Sequence, residues 1–248
     1  MVNRIGNMIK IINDHCLDIL PTFKDDSVDL VFTSPPYNIG AKGKNIMYTE
    51  YIDDISDKEY YRLLSVSLIE CLRICRGPIF YVINYMVNNK KVLYQWISNH
   101  SEYLRENIIW DKGRVQPPIG NILAKRYEYI LMFTKDPKFE INNFRINKAE
   151  KYCHIFGNWI SNLIILPVDY ENFYLAKTHR AGFPEKLPGI FIDIYTKEGD
   201  MVLDPFLGLG STAVASAALK RNFIGIELAK KYCDISQEKL NNLPVSLF

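Results

Sequence analysis

Along the chain, short apolar runs alternate with stretches whose apolar positions recur every three or four residues. Ile9 to Ile12 and Val28 to Phe32 read as the first two strands. Ser56 followed three residues later by Glu59 is a capping-box signature, and Leu64, Leu68 and Leu72 then recur at helical spacing, which predicts a helix from about Asp57 to Cys75. Gly77-Pro78 stops that helix, and Ile79 to Ile83 reads as the next strand. Ile108 to Trp110 and Tyr129 to Phe133 are predicted as an antiparallel pair at one edge of the sheet. Later come a strand at Met201 to Leu203, a helix of small residues from Ser211 to Leu219, a strand at Phe223 to Ile226 and a last helix from about Ala229 to Asn241. Such alternation predicts an α/β fold, a doubly wound and mostly parallel sheet covered on both faces. From Asp136 to Tyr174 the periodicity dissolves among asparagines, lysines and aromatics. Residues 136–175 are therefore expected to be a small insert in a single domain spanning 1–248.

Composition narrows this picture. Apolar residues at 48% and charged residues at 23% are ordinary for a globular protein that can bury a sizeable core. A net charge of +2 gives no overall basic bias, so any nucleic-acid contact must come from local clusters. Candidates are Lys42 with Lys44, Lys112 with Arg114, Lys125 with Arg126, and Lys177 with His179 and Arg180. Each cluster alone is also what a solvated face would show; their expected position in loops favours phosphate contact. The five cysteines are scattered without a Cys-x-x-Cys pair, so neither a disulfide framework nor a zinc site is expected, and Cys71 and Cys75 read as buried helix residues. No run of about 18 apolar residues and no leader pattern occurs, which gives the expectation of a cytoplasmic protein without membrane contact.

The chemistry sits in two short motifs, each directly after a predicted buried strand. In open α/β sheets that is where ligands bind. Thr33-Ser34-Pro35-Pro36-Tyr37-Asn38 follows Val28 to Phe32, and Asp204-Pro205-Phe206-Leu207-Gly208-Leu209-Gly210-Ser211-Thr212 follows Met201 to Leu203. Gly208 and Gly210 allow a tight bend and a close backbone approach, and the helix opening at Ser211 presents unpaired N–H groups. Glu227 stands 23 positions beyond Asp204, about where a dinucleotide fold places an acid for ribose hydroxyls. A lone Gly-x-Gly is a weak signal, and an NAD-dependent oxidoreductase is the alternative from another class. The dinucleotide fingerprint, however, wants a third glycine where Ala213 stands.

Taken together, Ser-Pro-Pro-Tyr and Asp-Pro-Phe-x-Gly-x-Gly-Ser-Thr resemble the catalytic and cofactor motifs of amino-group DNA methyltransferases that use S-adenosylmethionine. The catalytic motif coming first resembles the permuted β class of that family. The resemblance implies a Rossmann-like fold, S-adenosylmethionine as cofactor with S-adenosylhomocysteine as product, no metal, and double-stranded DNA as partner. Homodimerisation and a cognate restriction endonuclease are further expectations from the family. It assigns catalysis to Ser34, Pro35, Pro36 and Tyr37, and cofactor binding to Thr33, Asp204, Pro205, Phe206, Gly208, Gly210, Ser211, Thr212 and Glu227. His179 to Pro188 is similar to the family's His-x-x-x-Phe-Pro-x-x-Leu stretch around the methionine end of the cofactor, which adds His179 and Phe183. By the same resemblance Asp18 looks like the acid that meets the adenine; on its own it is only a polar residue near the first strand. Residues 136–175 become the target-recognition insert, and Gly40 to Asp53 a loop that could close over DNA.

The motif suits the reaction. A base amino group is a poor nucleophile because its lone pair is delocalised into the ring, so acceptors aimed at its two hydrogens must draw the nitrogen toward a tetrahedral form. The Ser34 hydroxyl and the Pro35 carbonyl can accept those bonds, while proline holds the loop rigid. The base must leave the duplex to be reached, and Tyr37 is expected to stack on the extruded ring. No cysteine here follows a proline, so the covalent route to cytosine carbon-5 lacks its nucleophile. Ser34, where the family's adenine enzymes usually carry Asp or Asn, favours the cytosine amino group (N4), with adenine N6 as the alternative. A DNA-binding module without activity would be expected to lack one of the two motifs.

Overall fold

The computed structural model describes residues 7–39, 53–86, 88–116, 123–136, 138, 155–156, 159–167 and 182–243, with backbone alone at 114–116, 155–156 and 159–160. The sequence expectations for Lys42, Lys44, Lys177, His179, Arg180, the Arg114 side chain and most of 136–175 lie outside the described residues.

Ten strands are described. They are β1 (Ile9–Asn13), β2 (Leu30–Thr33), β3 (Ile79–Ile83), β4 (Leu104–Gln116), β5 (Lys125–Phe133), β6 (Ile155–Phe156), β7 (Trp159–Ile160), β8 (Leu163–Ile165), β9 (Met201–Asp204) and β10 (Asn222–Glu227). The helices are α1 (Cys16–Ile19), α2 (Asp57–Ile74), α3 (Lys90–Asn99), α4 (Lys186–Tyr195), α5 (Ser211–Ala218) and α6 (Lys230–Asn241). Eight strands form one sheet in the order β1-β10-β9-β2-β3-β5-β4-β8. The run from β1 to β3 is parallel, β5 lies antiparallel to both β3 and β4, and β8 runs parallel to β4.

Every residue of β2 and β3 is buried, because both faces of this sheet are covered. Alternate side chains divide between two cores. Val31, Ile79, Tyr81 and Leu131 join α2 and α3 on one face, whereas Leu30, Phe32, Phe80 and Ile130 join α4 and α5 on the other. The capping box at the start of α2 is present in full: Ser56 accepts from the Glu59 N–H, and the Glu59 carboxylate accepts from the Ser56 N–H.

Three features differ from the sequence reading. The antiparallel pair β4–β5 is present but not at the edge, because β8, drawn from the expected insert, pairs outside β4 and its neighbour Leu166 accepts a bond from the Trp110 indole at 2.9 Å. A three-residue strand is too short to show a period. Helix α4 is disguised by Pro188-Gly189: Pro188 falls in the first turn, where its missing N–H costs nothing. Helix α3 buries only Val92, Leu93 and Trp96, a stripe too narrow to stand out.

Helix α2 turns into β3 through a close backbone approach. A Cβ on Gly77 would lie 2.0 Å from the Asp29 carbonyl oxygen. Gly77→Ala is therefore expected to cost about 1–3 kcal/mol by overpacking, read as a lower urea midpoint with an unchanged slope. An unchanged midpoint would show that the turn relaxes freely.

Candidate active site

Strands β2 and β9 are adjacent and parallel, yet the chain leaves them in opposite directions across the sheet: toward β3 from β2, and toward β10 and β1 from β9. Their C-terminal loops diverge and open a crevice at this switch point. The two motifs of the sequence are these two loops.

A buried carboxylate joins them. Asp204 Oδ1 accepts from the Thr33 hydroxyl at 2.6 Å and from the Phe206 N–H at 3.0 Å, and Oδ2 accepts from the Thr212 hydroxyl at 2.7 Å. Burial pushes the Asp204 carboxyl up to about 6, against three hydrogen bonds that favour its charged form. Thr33, Asp204 and Thr212 therefore lie beneath the crevice and fix its floor.

The crevice holds a cavity of about 200 Å³, well above the roughly 10–15 Å³ that one water needs. Ser34, Pro36, Phe183, Pro205, Phe206, Gly208, Ser211 and Glu227, all sequence candidates, line it. Gly210 sits just behind as the N-cap of α5 at φ 80°, a left-handed conformation suited to glycine, and a Cβ there would meet the Ser236 hydroxyl at 2.7 Å. Phe183 is anchored by its carbonyl, which accepts from the Ser211 hydroxyl at 2.7 Å, and by edge-to-face packing on Phe32.

Glu227 clasps the glycine loop. Its carboxylate accepts from the N–H groups of Gly208 and Ala229, each at 2.8 Å, and burial raises it to about 7. Asp14, His15 and Cys16, directly after β1, line the same end of the cavity. Asp18, the sequence candidate for an adenine contact, is instead exposed on α1 and outside the lining, because the helix turns it outward. The strand-end rule that located the two motifs, applied also to β1, points to Asp14.

On the other side of the crevice, the Ser34 hydroxyl donates to the Val82 carbonyl at 3.0 Å. Tyr37 is buried, its hydroxyl donating to Glu128 at 2.9 Å. It thus packs into the protein here and does not face the cavity as a stacking platform, because Glu128 draws its hydroxyl inward. Two asparagines brace the loop. Asn38, at φ 52°, exchanges two side-chain bonds with the backbone of Ile55 at 2.8 and 2.9 Å, and Asn89 donates to the Tyr37 carbonyl at 2.7 Å. Asp53 accepts from the N–H groups of Asn38 and Ile39 at 2.9 and 3.2 Å, and burial raises its carboxyl above the ordinary range. Asp53 and Ile55 also line the cavity; no motif marked them.

The expected DNA contacts need correction. Lys112 lies within β4, buried, and its ammonium is 2.7 Å from Glu128. Lys125 and Arg126 are in β5: the first donates to the Tyr85 carbonyl at 2.6 Å, and the second pairs with Asp111 at 2.7 Å. None of the three sits in a loop, and Lys112 is closed to a phosphate because its charge is satisfied inside the protein.

The cavity's electrostatics are one-sided. Three carboxylates, Asp14, Asp53 and Glu227, line it, and no lysine or arginine does among the described residues. A cationic ligand suits such a wall, and a pyrophosphate does not. No cluster of metal-ligating side chains occurs among the described residues.

Because Glu227 binds its proton more tightly in the fold than in an unfolded chain, its contribution to stability is full at low pH and is lost as pH rises through about 7. The thermal midpoint of the ligand-free protein is therefore expected to exceed that of Glu227→Gln most near pH 5, with the advantage shrinking toward pH 8. A difference independent of pH would mean that Glu227 is already ionised at pH 5.

Comparison with known proteins agrees with this geometry. The DNA methylase family model matches residues 28–238. The type II methyltransferase M.HinfI of Haemophilus influenzae is 29% identical over 246 residues, covering 94% of this chain and 68% of its own. Among solved structures, the cytosine-N4-specific PvuII DNA methyltransferase superposes with a TM-score of 0.70 at 19% identity, covering 95% of this chain and 91% of that one. M1.HpyAVI, solved as its SAM complex, gives 0.64 at 22% identity, covering 94% and 100%. With both strand-end motifs meeting at one acid-walled cleft, and with the family model spanning both, the chain belongs to the N6/N4 DNA methylase family.

Proposed function

We propose that this DNA methyltransferase transfers the methyl group of S-adenosylmethionine to the N4 amino group of cytosine, on a base flipped out of double-stranded DNA. The observation that carries the reading is Ser34. It lines the cavity while its proton is committed to the Val82 carbonyl, so its remaining lone pairs can accept from a base amino group. Proline on its C-terminal side keeps that acceptor from wandering.

The residues present fit the cofactor. Glu227 would hold the ribose hydroxyls, Asp14 the adenine end, and Phe183 and the Gly208 loop the methionine end; the carboxylate wall suits a molecule carrying sulfonium and ammonium charges. When bound, S-adenosylmethionine supplies an electrophilic methyl group. The protein's part is to hold the amino nitrogen rigidly and to keep water out. Alignment of this kind can supply roughly 7–11 kcal/mol, whereas each neutral hydrogen bond adds only about 1 kcal/mol. Arg126, exposed beside Asp111 on β5, together with Lys42 and Lys44, is proposed to meet DNA phosphates. The type II naming of M.HinfI favours a modification role beside a restriction endonuclease.

Incubation with unmethylated DNA and labelled S-adenosylmethionine, followed by nucleoside mass spectrometry, is expected to yield N4-methylcytosine. N6-methyladenine would keep the chemistry and overturn the base assignment. Ser34→Ala should leave cofactor affinity nearly unchanged while lowering turnover about fivefold to tenfold, the size of one neutral hydrogen bond. Unchanged turnover would remove Ser34 from the mechanism.

A further inference from the structure

Tyr37 is turned inward, but other rings stand at the edge of the sheet that carries the Ser34 loop. Tyr85 follows the end of β3, and Tyr127 and Tyr129 lie on β5, whose antiparallel course brings its first half to that same edge. Asn84 ties the two strands there by donating to the Tyr127 carbonyl at 3.0 Å. Tyr94 comes from α3, whose start is fastened to the loop: Asn88 and Asn89 donate to the Ile39 and Tyr37 carbonyls, each at 2.7 Å. The centroid of the Tyr85 ring lies 6.1 Å from that of Tyr94 and 6.2 Å from that of Tyr129, and Tyr127 packs edge-on against Tyr129 at 5.4 Å. Lys125 pins the middle ring, its ammonium 4.1 Å from the Tyr85 centroid and donating to the Tyr85 carbonyl. The outer rings are open to solvent: Tyr94 is 53% exposed and Tyr127 36%.

The charge beside these rings is positive. Lys90 and Lys91 are exposed and precede Tyr94 by four and three residues, which places them on its side of α3. Asp111 and Glu128, the acids of β4 and β5 at this edge, are already paired with Arg126 and Lys112. We propose that this face binds unpaired nucleotides of the substrate DNA beside the base being methylated: Tyr94 and Tyr127 stack on bases, and Lys90 and Lys91 meet phosphates. The inference rests on the proposed extrusion of the target base. Inside a duplex the faces of a base are covered by its neighbours, and no ring reaches them. Extruding one base uncovers faces on the nucleotides around the gap, and rings held ready beside the Ser34 loop suit them. Stacking is tolerant of base identity, so the contact adds affinity for opened DNA without lengthening the recognition sequence.

The probe is a short labelled oligothymidylate, whose binding is read by fluorescence anisotropy and needs no methyl transfer. The protein should bind it, and Tyr94→Ala and Tyr127→Ala should each weaken binding at least about fivefold. Tyr94→Phe and Tyr127→Phe keep the ring and should bind as the unaltered protein does. No binding of the oligomer, alanine variants that bind it undiminished, or phenylalanine variants that bind as weakly as the alanine ones would each overturn the proposal. A second measurement uses the unaltered protein and so does not depend on how the variants fold. Irradiation with an oligomer carrying 5-iododeoxyuridine should attach it to Tyr94 or Tyr127, and attachment only elsewhere overturns the site. Base methylation of duplex DNA by a protein whose oligomer binding ignores these rings would sink this proposal and leave the proposed function standing; ring-dependent binding without any base methylation would do the reverse.

Discussion

The structure depends on one buried carboxylate. Asp204 gathers a hydroxyl from β2, a hydroxyl from α5 and a backbone N–H from its own loop, and so ties together positions as far as 171 residues apart. Removing a charge from water is costly, and the raised proton affinity of Asp204 reflects that cost. Its hydrogen bonds offset the cost only while Thr33 and Thr212 are in place. The same bonds set the spacing between the Ser34 loop and the glycine loop, and with it the width of the cleft.

Around that anchor, the two sides of the cleft are held by different means. On the glycine-loop side the backbone lines the cavity, shaped by the left-handed Gly208 and Gly210 and clasped by Glu227. On the other side a short proline-stiffened loop is pinned from three directions: by Asp53 and the Ile55 backbone, by Asn89, and by Glu128. The pins hold backbone, a side-chain amide and a hydroxyl in place, in keeping with a reaction that gains more from alignment than from any single bond. Acids, and no described lysine or arginine, line the cleft where a dinucleotide fold would receive a pyrophosphate.

Much of this was legible in the chain because it is local. Strand ends, the Ser56–Glu59 capping box, the glycine loop and the Ser-Pro-Pro-Tyr turn are each written in fewer than ten consecutive residues. What escaped depends on distant partners. Lys112 resembles a surface cation until β5 brings Glu128 across from it, and Tyr37 resembles an open stacking surface until the same carboxylate draws it inward. Asp14 and Asp18 are both acids beside β1, and only the start of α1 at Cys16 decides which of them faces the cavity. Strand β8 could not announce itself in three residues, and α4 hides behind a proline that its first turn tolerates.

The strand order also constrains how the protein comes into being on the ribosome. Among the described residues, strand β1 pairs within the sheet only with β10, and β9 and β10 slot between β1 and β2. Among the described strands the first therefore has no sheet partner until the last emerges, and Thr33, where the Ser34 loop begins, precedes by 171 residues the carboxylate that anchors it. Contacts so far apart in sequence close slowly, and the apolar edges of β1 and β2 stay uncovered through most of synthesis. The crevice between β2 and β9 therefore cannot form until β9 and β10 have been made, and a chain arrested before Met201 would carry the Ser34 loop without the carboxylate that anchors it.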